Sequence, residues 1–274
     1  MSKIKDWTGE RLETFVFNET TIEHLHRYAI AMEFCSGKTV LDIACGEGYG
    51  SNLLSAKATH VTGMDADAIT IEKATAKYKR DNLYFVQSKA EKIAAADTEF
   101  DIVVSLETLE HLSDHTAMMK EIKRVMKPGG LLIISTPDKK EYTDKRMYKN
   151  PFHIKELYRN EFEELLKSTF IHVQIFTQQM THSSFINVAE SEGINIYSGD
   201  FTAIKRNHYA DSQFLIALAS DNGLPILSNS LFNGNSIVEQ ALIEKEKMVM
   251  NTITYRLGHF ILYPFKLIRD ILKK

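Results

Sequence analysis

The stretch VLDIACGEGYG, residues 40–50, passes from an apolar run directly into a loop with glycine at every second position. An apolar run of this kind predicts a buried strand. Asp42 stands late in that strand, and Gly46, Gly48 and Gly50 stand in the turn that follows. Glycine lets the backbone take positive φ and lets a ligand approach the main chain closely. In a doubly wound sheet, a nucleotide-like ligand sits at such a corner. The spacing is G-x-G-x-G, which departs from the G-x-G-x-x-G dinucleotide fingerprint.

Working outward, TVLDIA (39–44), HVTGMD (60–65), LYFVQ (83–87), FDIVVSL (100–106) and GLLIISTP (130–137) read as strands. Helices are expected near 20–34, 49–57, 67–79 and 114–126, the last closed by KPGG. RNEFEELLKS predicts another helix, and IHVQIFT (171–177) and SQFLIALAS (212–220) two more strands. Strands that are almost continuously apolar, alternating with helices, predict an α/β doubly wound sheet covered on both faces. The interval 178–211 is too long for an ordinary connection. Its aromatic and polar content suits a substrate cap, and a surface insertion or dimer contact fits equally well.

Composition narrows the function. Lys and Arg number 33 against 36 Asp and Glu, a net charge of −3, so no basic field argues for nucleic acid. Two cysteines, Cys35 and Cys45, make no disulfide framework and point to a reducing cytoplasm. The opening MSKIKDWTGERLETF has no apolar signal-peptide core. No apolar run reaches the roughly 20 residues that span a bilayer.

Asp65 ends the second strand, where a carboxylate can accept both hydroxyls of an adenosine ribose; a helix cap is the plainer reading of a strand-end Asp. In combination, LDIACGEGYG, GMDAD, FVQSKAEKI, FDIVVSLETLEHLSD and EIKRVMKPGGLLIISTP resemble the successive motifs of the class I S-adenosylmethionine-dependent methyltransferases, over roughly residues 20–220. That resemblance implies a Rossmann-like methyltransferase fold of seven strands, mostly parallel, the last antiparallel. It also implies S-adenosyl-L-methionine as cofactor. By the same resemblance Asp42, Ala44, Cys45, Gly46 and Gly48 line the methionine part, Cys45 standing where many relatives carry Gly. Asp65 holds the ribose, Ala66, Ala90 and Glu91 lie by the adenine, and Leu106 covers the inner edge. Arg27, in EHLHRYAIA, would meet the cofactor carboxylate, with Tyr28 and Arg11 as alternatives; packing of the helix with Arg27 in solvent is the competing reading.

SLETLEHLSD, residues 105–114, then raises the question of chemistry. Glu107, Glu110 and His111 fall at i, i+3 and i+4, so on a helix all three share a face. His153, in NPFHIKEL, is expected at the same sheet edge. The set resembles the metal site of small-RNA 3′-end 2′-O-methyltransferases and of ubiquinone O-methyltransferases, which implies Mg²⁺ or Mn²⁺ on Glu107, Glu110, His111 and His153. A metal-free site with His153 as general base is the alternative, with His111 and Glu107 assisting, and helix capping is the third reading. His115, one turn on, is expected in solvent. WTGERL, HLHRY, DIACGEGYG and NPFHIKEL together resemble methyltransferases of bacterial surface-glycan and nucleotide-sugar biosynthesis. The implied reaction is O-methylation of a sugar hydroxyl. A small-molecule or quinone-type acceptor, an amino-sugar nitrogen, and a non-catalytic cofactor-binding module are the alternatives.

The expected organisation is a methyltransferase domain over 1–225 with its insertion at 178–211, then a helical extension over 226–274. The end, TYRLGHFILYPFKLIRDILKK, is basic and amphipathic. It suits docking on the domain, homodimerisation, or peripheral contact with the inner membrane face. Pro264 is expected to break or kink any helix there.

Overall fold

The structure is a computed structural model and describes residues 10–181, 196–199, 201–207 and 212–272. Its centre is a seven-stranded sheet in the order β3-β2-β1-β4-β5-β9-β6. The strands are β1 (Thr39–Ile43), β2 (His60–Asp65), β3 (Leu83–Gln87), β4 (Phe100–Leu106), β5 (Met126–Pro137), β6 (His172–Gln178) and β9 (Phe214–Ser220). β9 runs antiparallel between β5 and β6, and the pairings among β1 to β5 are parallel. The strand order reverses at β1, with β2 on one side and β4 on the other, so the crevice beyond their carboxyl ends is the expected ligand site.

Side chains alternate between two cores. Val40, Ile102, Val104, Leu106 and Ile133 face α1 (Glu19–Phe34) and α2 (Tyr49–Leu54). Leu41, Ile43, Val103, Leu132 and Ile134 face α4 (His115–Val125) and α5 (Arg159–Lys167). A period of two with both faces apolar is what makes these strands read as unbroken hydrophobic runs. Helix starts follow their caps. Asn18 accepts from the Thr21 amide in a capping box before α1, Asp67 caps α3 (Ala68–Lys77), and Asp114 caps α4.

α4 ends at Val125, just ahead of KPGG, as expected, but that segment is not a separate break. It is drawn into β5, which begins at Met126, and the β4–β5 register shifts between Phe100 and Ile102. Gly129 there has φ 72°, a left-handed value open to glycine at little cost. Most of the 178–211 cap expectation lies outside the described residues. Within it, β7 (Ile196–Gly199) and β8 (Ile204–Asn207) pair as an antiparallel hairpin. After β9, the chain packs against α1, where His26 Nε2 lies 2.8 Å from Ser230 Oγ, and continues into α6 (Asn235–Met250) and α7 (Ile253–Leu272). Of the break or kink expected at Pro264, the break is not found, because α7 runs through it. Among the described residues, no helix is long and apolar enough to cross a membrane.

Gly50 tests the packing of the glycine loop on α1, because a Cβ there would lie 1.9 Å from the Tyr28 ring. Gly50→Ala is expected to cost about 1–3 kcal/mol in urea unfolding; an unchanged midpoint would mean that Tyr28 is not held against the loop.

Candidate active site

The first half of the crevice is the β1–α2 loop. Ala44 leaves β1 at φ 56° and is exposed, a left-handed conformation that costs a non-glycine residue about 1–2 kcal/mol. Gly46 follows at φ 53° with open space where a Cβ would stand, so its backbone is accessible to a ligand. Gly48 differs: it has φ 85° and its absent Cβ makes room for Phe85, 2.7 Å from that position. The Cys45 amide donates to Met64 O at 2.9 Å, and its side chain is buried, which pushes the thiol pKa up.

Two buried carboxylates flank the loop. Asp65 accepts from the Gly46 amide at 3.0 Å through Oδ2 and from the Asp67 amide at 2.9 Å through Oδ1. Arg11 reaches it too, with Nη2 3.2 Å from Oδ1 and Nη1 3.2 Å from Asp67. Asp42 accepts from Ser51 Oγ at 2.6 Å and from the Tyr28 hydroxyl at 3.3 Å. Burial raises the Asp42 carboxyl to about 7, against the lowering effect of those two hydroxyls. Exposed Ala66 adjoins Asp65, while buried Ala90 and half-buried Glu91 lie just beyond the end of β3. Leu106 is buried at the end of β4.

The second half departs from expectation. No α-helix begins at Glu107. That residue takes φ 51°, and a 3₁₀ turn, Leu109–His111, precedes α4. The left-handed residue turns the chain, so Glu107 does not share a helix face with Glu110 and His111. Its Oε1 accepts from Ser135 Oγ at 2.6 Å and lies 3.3 Å from Arg27 Nη1. Arg27 is not in solvent: it is 2% exposed, donates from Nε to Gln178 Oε1 at 2.6 Å, and lies over the Phe214 ring. His115, expected in solvent, is also buried, in the first turn of α4.

The NPFHIKEL loop does come to meet the turn. The Glu110 carbonyl accepts from the Ile154 amide at 2.7 Å and the Lys155 amide at 3.1 Å. The His111 and His153 rings stand perpendicular, 5.2 Å apart. Glu110, His111 and His153 each offer one ligand atom, all within 4.8 Å of one another. Glu107 is not part of that group. His111 Nδ1 lies 3.0 Å from Phe152 O, which requires the ring proton there and leaves Nε2 with its lone pair. His153 Nδ1 lies 2.5 Å from Glu156 Oε1, so its proton faces the carboxylate, and Nε2 accepts from Asn150 Nδ2 at 3.0 Å. Glu156 is fixed in turn by Thr143 Oγ1 at 2.5 Å.

Burial sets the charges here. Glu110 is 1% exposed, and burial next to the Glu107 charge raises its pKa well above the ordinary carboxylate range. Thr136 Oγ1, 3.1 Å from its Oε2, offsets part of that. Burial lowers the His111 pKa, so the ring is neutral at neutral pH. Sequence reading passed over Glu156, although it stands three residues after His153 in the quoted motif. It had no means of finding Ser135, Gln178 or Phe214, which arrive from distant strands.

The sheet order, the switch point, the glycine loop and Asp65 define a Rossmann-like cofactor-binding domain. Residues 41–134 match the family model described as "Methyltransferase domain". A Mycolicibacterium smegmatis protein described as "Probable S-adenosylmethionine-dependent methyltransferase" is 35% identical over 170 residues, 61% of this chain and 65% of that protein. A ubiquinone biosynthesis O-methyltransferase of Cereibacter sphaeroides is 35% identical over 102 residues, 36% of this chain and 41% of that one. The match thus spans less than two thirds of either relative. The solved structure of a SAM-dependent methyltransferase from Thermotoga maritima shares the fold, with a TM-score of 0.55 at 18% identity over 74% of this chain and 90% of that one. Residues 41–134 are thus similar to a methyltransferase domain, and the seven-stranded sheet shares the fold of a solved S-adenosylmethionine-dependent methyltransferase.

Two measurements test the cofactor half. Asp65→Ala is expected to weaken S-adenosylhomocysteine binding by on the order of tenfold or more in calorimetry, since hydrogen bonds to a charged group contribute about 1.5–3 kcal/mol. Asp42 tests the electrostatics. Its folded carboxyl holds a proton more tightly than the unfolded one, so stability falls as pH rises from about 4 to about 7. Asp42→Asn is expected to flatten urea-unfolding stability across that window, by up to about 1.4 kcal/mol per pH unit.

Proposed function

We propose that this chain is an S-adenosylmethionine-dependent O-methyltransferase whose acceptor is a hydroxyl, one of a vicinal diol on a glycan or nucleotide sugar. The observation that carries the reading is the convergence of Glu110, His111 and the Glu156-bound His153 at the carboxyl edge of the sheet. Methyl transfer from a sulfonium is an in-line displacement, and the protein must hold the acceptor oxygen and dispose of its proton. An alcohol gives up that proton reluctantly, at a pKa near that of bulk water, roughly 16.

His153 is built for the proton. Glu156 fixes the tautomer that leaves Nε2 basic and stabilises the imidazolium that forms when Nε2 accepts a proton. Asn150 Nδ2 occupies that nitrogen's one lone pair, so an acceptor hydroxyl has to displace the Asn150 amide to reach it. Glu110, His111 and His153 also fit a divalent cation: the set is one carboxylate and two imidazoles, with His111 Nε2 free of its backbone bond and His153 Nε2 open to an ion once Asn150 Nδ2 is displaced. A cation there would keep the buried Glu110 ionised. When bound, Mg²⁺ or Mn²⁺ would acidify a coordinated hydroxyl. Glu107 serves a different purpose, pairing with Arg27 and fixing the turn. The similarity to a ubiquinone biosynthesis O-methyltransferase supports a second reading, a small-molecule or quinone-type acceptor.

Methyl transfer to a panel of nucleotide sugars, glycans and catechols, with Mg²⁺ or Mn²⁺ and with EDTA, tests this. His153→Asn is expected to lower kcat by on the order of a hundredfold or more with little change in S-adenosylhomocysteine affinity, as loss of a general base does. Glu110→Gln is expected to abolish any metal dependence. Transfer only to amines, or full activity of His153→Asn, would overturn the reading.

A further inference from the structure

α6 and α7 extend beyond the sheet domain with an apolar surface that nothing in the methyl-transfer site uses. No residue of α6 is buried, and from Asn251 to Leu262 every residue except Gly258 is exposed. In α7, Ile253, Leu257, Phe260 and Ile261 are 78%, 56%, 80% and 60% exposed. Steps of three and four residues put these four on one helix face. The sequence repeats the same spacing at Leu267, Ile268 and Ile271. The sequence from Asn251 to Lys274 is also basic, with Arg256, Lys266, Arg269, Lys273 and Lys274 against a single acid, Asp270, on a chain whose net charge is −3.

Charge decides between the occupants of that face. The sheet domain leaves it uncovered in this structure. Two copies packed through it would bring two basic helices together, like charge against like. A bilayer surface with anionic headgroups takes the apolar face into its acyl boundary and pairs the basic positions with phosphate. Crossing is ruled out for the described helices, which are too short of apolar residues, so the contact is in the plane of the surface. An aromatic supply suits that depth, with Tyr255, Phe260, Tyr263 and Phe265 in the sequence of one helix. We propose that α7 docks this protein peripherally on an anionic lipid surface, apolar face inward.

Full-length protein sedimented with phosphatidylcholine vesicles, with and without phosphatidylglycerol, tests the proposal. Pelleting is expected only with phosphatidylglycerol, and raised salt is expected to cut the bound fraction by on the order of tenfold. The double variant Phe260→Glu with Ile261→Glu removes the apolar face, and Arg256→Glu with Lys266→Glu removes charge while keeping that face. Each is expected to lose vesicle binding on the order of tenfold while retaining the wild-type melting curve, because the first pair and Arg256 are exposed. No pelleting, equal pelleting of wild type and both variants, or pelleting that ignores lipid charge would overturn it. So would a dimer in sedimentation velocity that Phe260→Glu with Ile261→Glu dissolves while wild type ignores vesicles; that outcome assigns the face to a second copy.

Discussion

Arg27 is a guanidinium held almost wholly away from water, and the acceptor side of the crevice is arranged around it. Its Nε bond to Gln178 fixes the end of β6, its Nη1 pairs with Glu107 after β4, and Phe214 of β9 lies under its plane. Gln178 returns a bond from Nε2 to the Glu23 carbonyl, so α1 is tied to the far edge of the sheet through one residue. A buried charge of this kind is tolerated only when paired, and removing one partner typically costs about 3–5 kcal/mol. Glu107 is therefore committed. Its left-handed backbone and its bonds to Ser135 and Arg27 leave three groups, Glu110, His111 and His153, to converge where four were anticipated.

That commitment also explains how the two halves of the crevice differ. On the cofactor side, backbone amides and carboxylates do the holding, through Gly46, Asp65 and Asp67. On the other side, a backbone clamp on the Glu110 carbonyl brings in the loop that bears His153 and Glu156. The clamp fixes Ile154 and Lys155, which brackets His153 from its carboxyl side, and Asn150 Oδ1 accepts the Phe152 amide on the other. A histidine so bracketed, with Glu156 on one nitrogen, has little freedom to lose when an acceptor arrives.

Most of the sheet was legible in the sequence because its cause is local. β1, β2, β3 and β4 are short apolar runs between glycine and polar breaks, and their observed spans agree with those runs. Asp65 was legible for the same reason, standing at a strand end one strand from the glycine loop. What escaped reading is decided by contacts across the chain. Glu107 looked like the first turn of a helix, since i, i+3, i+4 spacing is a helical pattern. Its Ser135 and Arg27 partners turn the backbone instead, and they stand 28 residues after it and in α1. Arg27 was read as a partner of the cofactor carboxylate, with a solvent-facing helix residue as the competing reading, because no sequence signal announces Gln178 or Phe214. Pro264 misled in the opposite direction. The rule that proline breaks a helix weighs the lost amide bond, yet α7 is continuous through it.

One local conflict remains inside the cofactor half. A carboxylate offers about four lone-pair positions. Asp65 already fills one on Oδ2 with the Gly46 amide, and two on Oδ1 with the Asp67 amide and Arg11. A ribose diol brings two hydroxyl donors to the single position that is left. The two amides belong to the loop and the helix start, and moving them would dismantle the corner that defines the site. Arg11 is a half-exposed side chain with a second acid beside it, Asp67, 3.2 Å from its Nη1. It can surrender Asp65 while keeping Asp67 and Thr70, so admitting a diol falls on this side chain and not on the two amides.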